Sequence, residues 1–406
     1  MTILVKAVRA FSLSLVAFCM QVSMAAEAPP QGKLLIAGGA VRADNTIIWQ
    51  RMVQLAGGQG ARIAVMPSAA GNPERSGANL AATLNKYGAS AFVVPVAVRL
   101  KNSDYARAAE DETLARSIRE AGGVYFAGGD QGYITKALVR PDGSRTAVLQ
   151  AIWDVYNKGG VIGGSSAGAA IMSSTMYYEA KTVIGTLAAG VNDGRELAPG
   201  LGFVGTDVFV DQHLLARGRF ARMLPAMLKK NYKLGLGIDE NTAMVINAKR
   251  EVEIIGYQGA LLLDLTQAKT NGDIKEFNVT NARISYLDRG DRYNLVTGQY
   301  TPSADKAEGK LDPAKPFLNE QVYSADALGH NTVLVMMEKL INNTRSEAIG
   351  IATAPPGEPR EDLGFEFKLI RDAASVGYES ATSDAYTILN LRLDVRPLKI
   401  TRPWYQ

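Results

Sequence analysis

The sequence predicts an α/β fold, a mostly parallel sheet flanked by helices, and three observations carry that prediction. Between residues 33 and 165, near-continuous apolar runs alternate with stretches of helical periodicity. Each apolar run ends in glycine or a small polar residue. The runs also lack the in-and-out alternation of a half-exposed sheet, so both of their faces are expected to be covered.

The elements follow in order. Residues 33–37 read as a strand running into Gly38-Gly39, and residues 62–66 as a second strand ending before Ser68. A helix is expected over 75–87, a third strand over 91–96, and a helix with alternating charges over 105–120. Residues 123–127 form a strand that ends in Gly128-Gly129-Asp130-Gln131. A helix from about 146 to 157 precedes the strand 160–164, which runs into Ser165-Ser166-Ala167-Gly168. In parallel sheets the working groups gather beyond the carboxyl ends of the strands. That places Gly38-Gly39, Ser68, Gly128-Gly129 and Ser166 in one layer.

Residues 179–202, rich in Gly, Asp and Asn, read as a surface excursion. A strand then ends in Asp211-Gln212-His213, a helix carries Arg217, Arg219 and Arg222, and a further strand end holds Gly237-Ile238-Asp239-Glu240-Asn241. Residues 242–265 read as β-hairpins. Beyond about 270 come strands over 278–287 and 293–301, a Pro/Lys/Asp-rich linker over 302–320 and one helix within 321–342. Residues 365–370 and 386–400 alternate as exposed antiparallel strands do. The expected division is a signal peptide (1–25), a catalytic α/β domain (26–300) and a C-terminal β-rich extension (301–406) whose role the sequence does not state.

Lys6 and Arg9 precede an apolar stretch over 10–22, and Ser23-Met24-Ala25 offers small residues for signal cleavage. Export to the periplasm or medium is therefore expected. Cleavage would take two of the 44 basic residues and none of the 40 acidic ones, leaving a net charge of about +2. No basic stripe is present, so nucleic acid is not an expected partner. No later run is long and apolar enough to span a membrane. Cleavage would also remove Cys19, the single cysteine, and with it any thiol nucleophile or disulfide. Only His213 and His330 remain, so no metal site and no cofactor are expected. The oligomeric state stays open, a homodimer among the options.

Gly164-Ser165-Ser166-Ala167-Gly168 fits the G-x-S-x-G pattern of a nucleophile elbow, centred on Ser166. A turn that merely packs small residues has the same pentapeptide, so the partners decide. A serine nucleophile needs a base and a group to orient that base. His213 closes a strand, whereas His330 falls in the late linker region, away from the strand-end layer. Asp211, Asp239 and Glu240 all stand at strand ends as orienting carboxylates. Asp193 and Asp207, between serine and histidine, are less well placed. Ala167 N–H and an N–H of Gly128-Gly129 are the natural oxyanion donors. Arg219 and Arg222, three apart, would share a helical face and read substrate carboxylates. Asp211 and Gln131 could hold a cationic or amide group. Gly38-Gly39 lacks the third glycine of a dinucleotide fingerprint.

Four pieces together resemble the cyanophycinases, of the serine peptidase family that also holds the aspartyl dipeptidases. They are Gly128-Gly129-Asp130-Gln131, Gly163 to Ala169, Asp211-Gln212-His213 with Arg217, Arg219 and Arg222, and Gly237 to Asn241. The resemblance covers roughly residues 32–297. It implies a class I glutamine amidotransferase-like sandwich with Ser166 as nucleophile, His213 as general base and acid, and Glu240 as the orienting carboxylate. Gly129 and Ala167 would hold the oxyanion, while Gln131, Asp211, Gln212, Arg219 and Arg222 would bind substrate. The implied substrate is cyanophycin, multi-L-arginyl-poly-L-aspartate, cut from its end to β-Asp-Arg dipeptides by attack on a β-aspartyl carbonyl. An aspartyl dipeptidase or other isopeptidase is the alternative reading, and a non-catalytic binding protein a third.

Overall fold

The computed structural model describes residues 31–401. The expected signal peptide, residues 1–25 with Cys19, lies outside them. The first sheet grows from five parallel strands: β1 (Lys33–Ala37), β2 (Arg62–Met66), β3 (Ser90–Val93), β4 (Gly123–Phe126) and β5 (Val161–Ser165), in spatial order β1-β5-β4-β2-β3. The intervening helices are α1 (Thr46–Leu55), α2 (Pro73–Lys86), α3 (Tyr105–Ala109), α4 (Glu112–Arg119), α5 (Gln131–Leu138) and α6 (Ala147–Asn157). The single helix expected over 105–120 is two. Asp111 breaks it, because its carboxylate accepts the Thr113 and Leu114 N–H groups and starts a new helix.

After β5 come the short α7 (Ala167–Ala170) and a two-stranded ribbon, β6 (Thr175–Tyr177) with β7 (Leu197–Pro199), enclosing α8 (Val183–Ala189). The chain then enters β8 (Val208–Gln212), α9 (Phe220–Lys230) and β9 (Leu234–Ile238). Here the structure corrects the expected single parallel sheet. β8 and β9 pair in parallel with each other and belong to a second sheet.

From this point the chain alternates between the sheets. β10 (Thr242–Ile246) and β11 (Glu251–Gly256) form a hairpin antiparallel to β1. β12 (Ala260–Asp264) and β13 (Val279–Leu287) extend the second sheet from β9. β14 (Arg292–Asn294) and β15 (Tyr300–Thr301) close the edge of the first. The tail supplies β16 (Val322–Ser324), α10 (Thr332–Ile341), β17 (Glu347–Thr353), β18 (Leu363–Ile370), β19 (Val376–Glu379) and β20 (Tyr386–Lys399). The second sheet then runs β16-β17-β18-β20-β13-β12-β9-β8, with β19 on β20. The expected boundary at 300/301 therefore cuts through a continuous sheet.

Packing follows the period-two alternation of strands. Leu34 and Ile36 of β1 face a central core that also receives Val208 and Val210 of β8 and Leu236 of β9. Leu35 and Ala37 point the other way, onto α1 and the Met52 core. On the outer side of the second sheet, Phe209, Leu261 and Ile284 pack with α9 and α10 residues such as Phe220 and Met337. One face of the first sheet thus packs on the second sheet and on α4, α5 and α6, its other face on α1 and α2, while α9 and α10 cover the far face of the second sheet. Among the described residues no helix is long and apolar enough to cross a membrane.

Candidate active site

The turn after β5 is sharp. Ser166 adopts φ 56° and ψ −108°, a region that a residue with a side chain enters only under constraint. Its N–H donates to Ala37 O, while its own carbonyl accepts from Ala169 and Ala170 N–H and so starts α7. The flanking glycines allow this: a side chain on Gly164 would come within 2.4 Å of Gly168 O. A side chain on Gly128, at the end of β4, would approach Ser166 Cβ to 3.2 Å, so that turn borders the hydroxyl. The N–H groups of Gly129 and Ala167 take no acceptor among the described residues.

The partners arrive from the other sheet. His213, directly after β8, is 6% exposed and itself at φ 51°. Its N–H donates to Gly38 O (2.8 Å), joining the end of β8 to the end of β1. Gly39 explains why that turn has two glycines: a side chain there would lie 2.1 Å from His213 Cε1. The imidazole Nε2 is 2.8 Å from Ser166 Oγ, and Nδ1 is 2.5 Å from Glu240 Oε1. Ser166, His213 and Glu240 thus form one hydrogen-bonded chain. Of the three carboxylates left open by the residues alone, Glu240 touches the imidazole. Burial lowers the His213 pKa, Glu240 pulls it back up, and Arg217 and Arg219 lower it again; the net shift is downward. A neutral imidazole beside a hydroxyl is a proton acceptor.

Asp239 points away. Its Oδ1 accepts the Ala216 N–H (3.2 Å), and it is 1% exposed with Oδ2 unpartnered. Burial raises its pKa, opposed by N–H groups of Glu240 and Ala216 and by the charge of His330. His330 precedes Asn331, whose N–H donates to Leu215 O (3.1 Å), so its turn lies against the segment that follows His213.

The two arginines differ from expectation and from each other. Arg222, 4% exposed, makes two 2.6 Å hydrogen bonds to the two oxygens of Asp211, itself 2% exposed. Burial alone would lower its pKa; Asp211 overcomes that and raises it. The two side chains neutralise each other, and Asp211 Oδ1 also accepts the Gln212 N–H (2.9 Å), so the pair stands as a buttress beside Gln212. Tyr177 completes it, its ring 4.3 Å from the Arg222 guanidinium and its hydroxyl on Arg222 O. Tyr177 O in turn accepts from Gln131 Nε2 (2.7 Å). No motif pointed to Tyr177.

Arg219 precedes α9 rather than sharing a face with Arg222. Its Nη1 donates to Gln212 O (3.0 Å) and Oε1 (2.8 Å), and it makes no ion pair among the described residues. Burial first, then the charge of Arg222, lowers its pKa to about 10, so it stays a cation at neutral pH. A half-buried guanidinium without a carboxylate is poised for an anionic ligand. Cavities of about 520 Å³, lined by Gly128, Asn72, Arg75 and Asn79, and of about 720 Å³, lined by Gly132, Lys136, Trp153 and Tyr178, adjoin the segment 128–132, and neither is lined by Ser166, His213 or Arg219. Among the described residues, no three His, Cys, Asp or Glu side chains gather as metal ligands.

An α/β fold with a serine on an elbow, hydrogen-bonded through a histidine to a carboxylate, defines a serine-type hydrolase. Comparison with known proteins makes it a peptidase. The model of peptidase family S51 matches residues 34–254, and the chain belongs to that family. It is 31% identical to a cyanophycinase of Geminocystis herdmanii over 276 residues, 66% of this chain and 94% of that protein. The cyanophycinase of Thermosynechococcus vestitus is also 31% identical, over 66% of this chain and 81% of its own. That of Trichormus variabilis is 28% identical over 67% and 88% respectively. A solved peptidase structure from an acI-B1 Actinobacterium overlaps with a TM-score of 0.47 at 18% identity, covering 66% of this chain and 99% of that one.

Proposed function

We propose that the protein is an exopeptidase that degrades cyanophycin to β-Asp-Arg dipeptides through an acyl-enzyme on Ser166. The observation that carries this reading is the Ser166–His213–Glu240 chain standing beside Arg219, a cation without an anionic partner. Every Asp-Arg unit of the polymer carries a free arginyl α-carboxylate that Arg219 can pair with. Gln131, through its Oε1, and Gln212 remain to read the guanidinium or backbone amides. The relatives named cyanophycinase support the same substrate.

His213 accepts the Ser166 hydroxyl proton as Oγ attacks the carbonyl, and Glu240 stabilises the imidazolium that forms. Gly129 and Ala167 N–H groups hold the developing oxyanion. His213 then gives its proton to the leaving amine, and water attacks the ester by the reverse route. Product balance moves the point of attack from a β-aspartyl carbonyl to the Asp–Asp backbone amide, since the β-aspartyl–arginine link survives in the released dipeptide. The elbow-bearing first sheet is read as glutamine amidotransferase-like, and the N-terminal segment as an export signal that brings the enzyme to polymer outside the cytoplasm.

The test is mass spectrometry of products from purified protein and culture supernatant incubated with cyanophycin. β-Asp-Arg from both is expected. Hydrolysis of small Asp-X dipeptides with the polymer untouched would replace the reading with an aspartyl dipeptidase.

A further inference from the structure

The family match ends at residue 254, yet the chain beyond it reaches the site. The segment 213–219 carries three of the groups just described: His213, Arg217, whose Nη2 lies 3.9 Å from Glu240 Oε1, and Arg219. It is held at three places. At its start the His213 N–H is fixed on Gly38 O of the first sheet. At its middle the Ala216 N–H is fixed on the buried Asp239.

The third place belongs to the tail. The turn 326–331, between β16 and α10, is tied to the second sheet by Ala327 N–H on Ile351 O (2.8 Å). From there the Asn331 N–H donates to Leu215 O (3.1 Å). Leu328 lies directly against Gly218: with φ +58°, a side chain at Gly218 would come 2.2 Å from Leu328 O and 2.9 Å from its carbonyl carbon. The Leu328 side chain packs on the second core, so the peptide cannot simply swing away.

We propose that the turn 326–331 is a positioning element of the active site, and that through Leu215 and Gly218 it sets the placement of Arg217 and Arg219, hence affinity for the carboxylates of the substrate. The assignment rests on the serine peptidase reading above. It gives the C-terminal segment a part in substrate recognition rather than in the chemical step. The reason is where the contacts fall. His213 is pinned independently by Gly38 and Gly39, whereas Arg217 and Arg219 flank Gly218.

Two variants of the full chain test this. Gly218→Ala adds a Cβ against Leu328 and also meets the cost of a positive φ. Gly218→Asn adds the same Cβ but tolerates that φ. With cyanophycin as substrate, both are expected to raise KM about fivefold or more while kcat stays within about twofold. Recovery of wild-type KM in Gly218→Asn alone would reduce the effect to local backbone strain and overturn the proposal, as would unchanged KM in both. A fall in kcat with KM unchanged would overturn it too.

Hydrogen exchange supplies a readout that needs no substrate. In the wild-type protein the Ala216 and Asn331 amides should be protected, and in a folded Gly218 variant the Asn331 amide should lose protection. Exchange of wild-type Asn331 at the rate of an open loop overturns the clamp. Failure of the wild type on cyanophycin, with the clamp intact by exchange, would count against the substrate and not against the positioning element.

Discussion

The two sheets meet at the same site but build it in different ways. The first delivers Ser166 locally: β5, the elbow and α7 span residues 161–170, and the nearest neighbours Gly164 and Gly168 lie within the same pentapeptide. The second delivers His213 and Glu240 through long-range pairing. β8 and β9 share a sheet with β20, whose last residue is Lys399. The nucleophile half is therefore a local backbone device, and the base half depends on the folding of the whole chain. A change that damages the base half should move activity and stability together more often than one at the elbow.

The largest expected effect comes from the link between halves. Glu240→Gln keeps the shape but offers Nδ1 an amide in place of a carboxylate, so kcat should fall by about 10³–10⁴-fold with stability little changed. Steady-state kinetics beside a thermal melt checks this, and a loss under tenfold would remove Glu240 from the relay. Next comes the buttress of the second sheet. Arg222→Met leaves Asp211 buried and unpaired, and about 3–5 kcal/mol of stability should be lost in denaturant unfolding. Asp211→Leu combined with Arg222→Met should recover most of it; no recovery would mean the pair serves more than mutual neutralisation.

Arg219→Ala should raise KM for cyanophycin about 10- to 100-fold with kcat nearly kept, the loss of one charge-assisted hydrogen bond to substrate. An unchanged KM would return Arg219 to a structural role under Gln212. The pH profile sharpens the comparison further. Burial lowers the His213 pKa, so the neutral base persists into mild acid, and the acid limb of kcat/KM should have its midpoint below about 6.5. Glu240→Gln removes a raising influence and should move that midpoint lower still.

The smallest effect is at Asp239. Burial holds its carboxyl pKa up, so the folded state binds a proton that the unfolded chain has released, and stability falls as pH rises. Asp239→Asn escapes this. Its melting temperature relative to wild type should climb as pH rises above about 4. A flat difference across that range would show that Asp239 ionises freely in the fold.

Much of this was legible in the sequence, in proportion to how local each feature is. The strands of the first sheet and the elbow are consecutive residues whose composition reports burial and turning, although the pentapeptide around Ser166 needed its partners to read as an elbow. His213 emerged by elimination, because only two histidines exist. Glu240 could not be told from Asp211 or Asp239 by residue type; the resemblance singled it out, and in the structure it stands 2.5 Å from His213 Nδ1. The second sheet was not legible. An apolar run such as 208–212 looks the same whichever sheet it joins, and its membership is decided by pairing partners far along the chain. For the same reason the pairing of Arg222 with Asp211, the part of Tyr177 and the seat that Gly39 makes for His213 left no mark in local pattern.

The account stands most directly on the Ser166 hydroxyl. Wild-type protein and Ser166→Ala, matched by circular dichroism and melting temperature, should be incubated with cyanophycin and the released β-Asp-Arg measured by mass spectrometry. The account predicts dipeptide from the wild type and a loss of at least about 10³-fold in the variant, with the fold intact. Undiminished release by Ser166→Ala would contradict it.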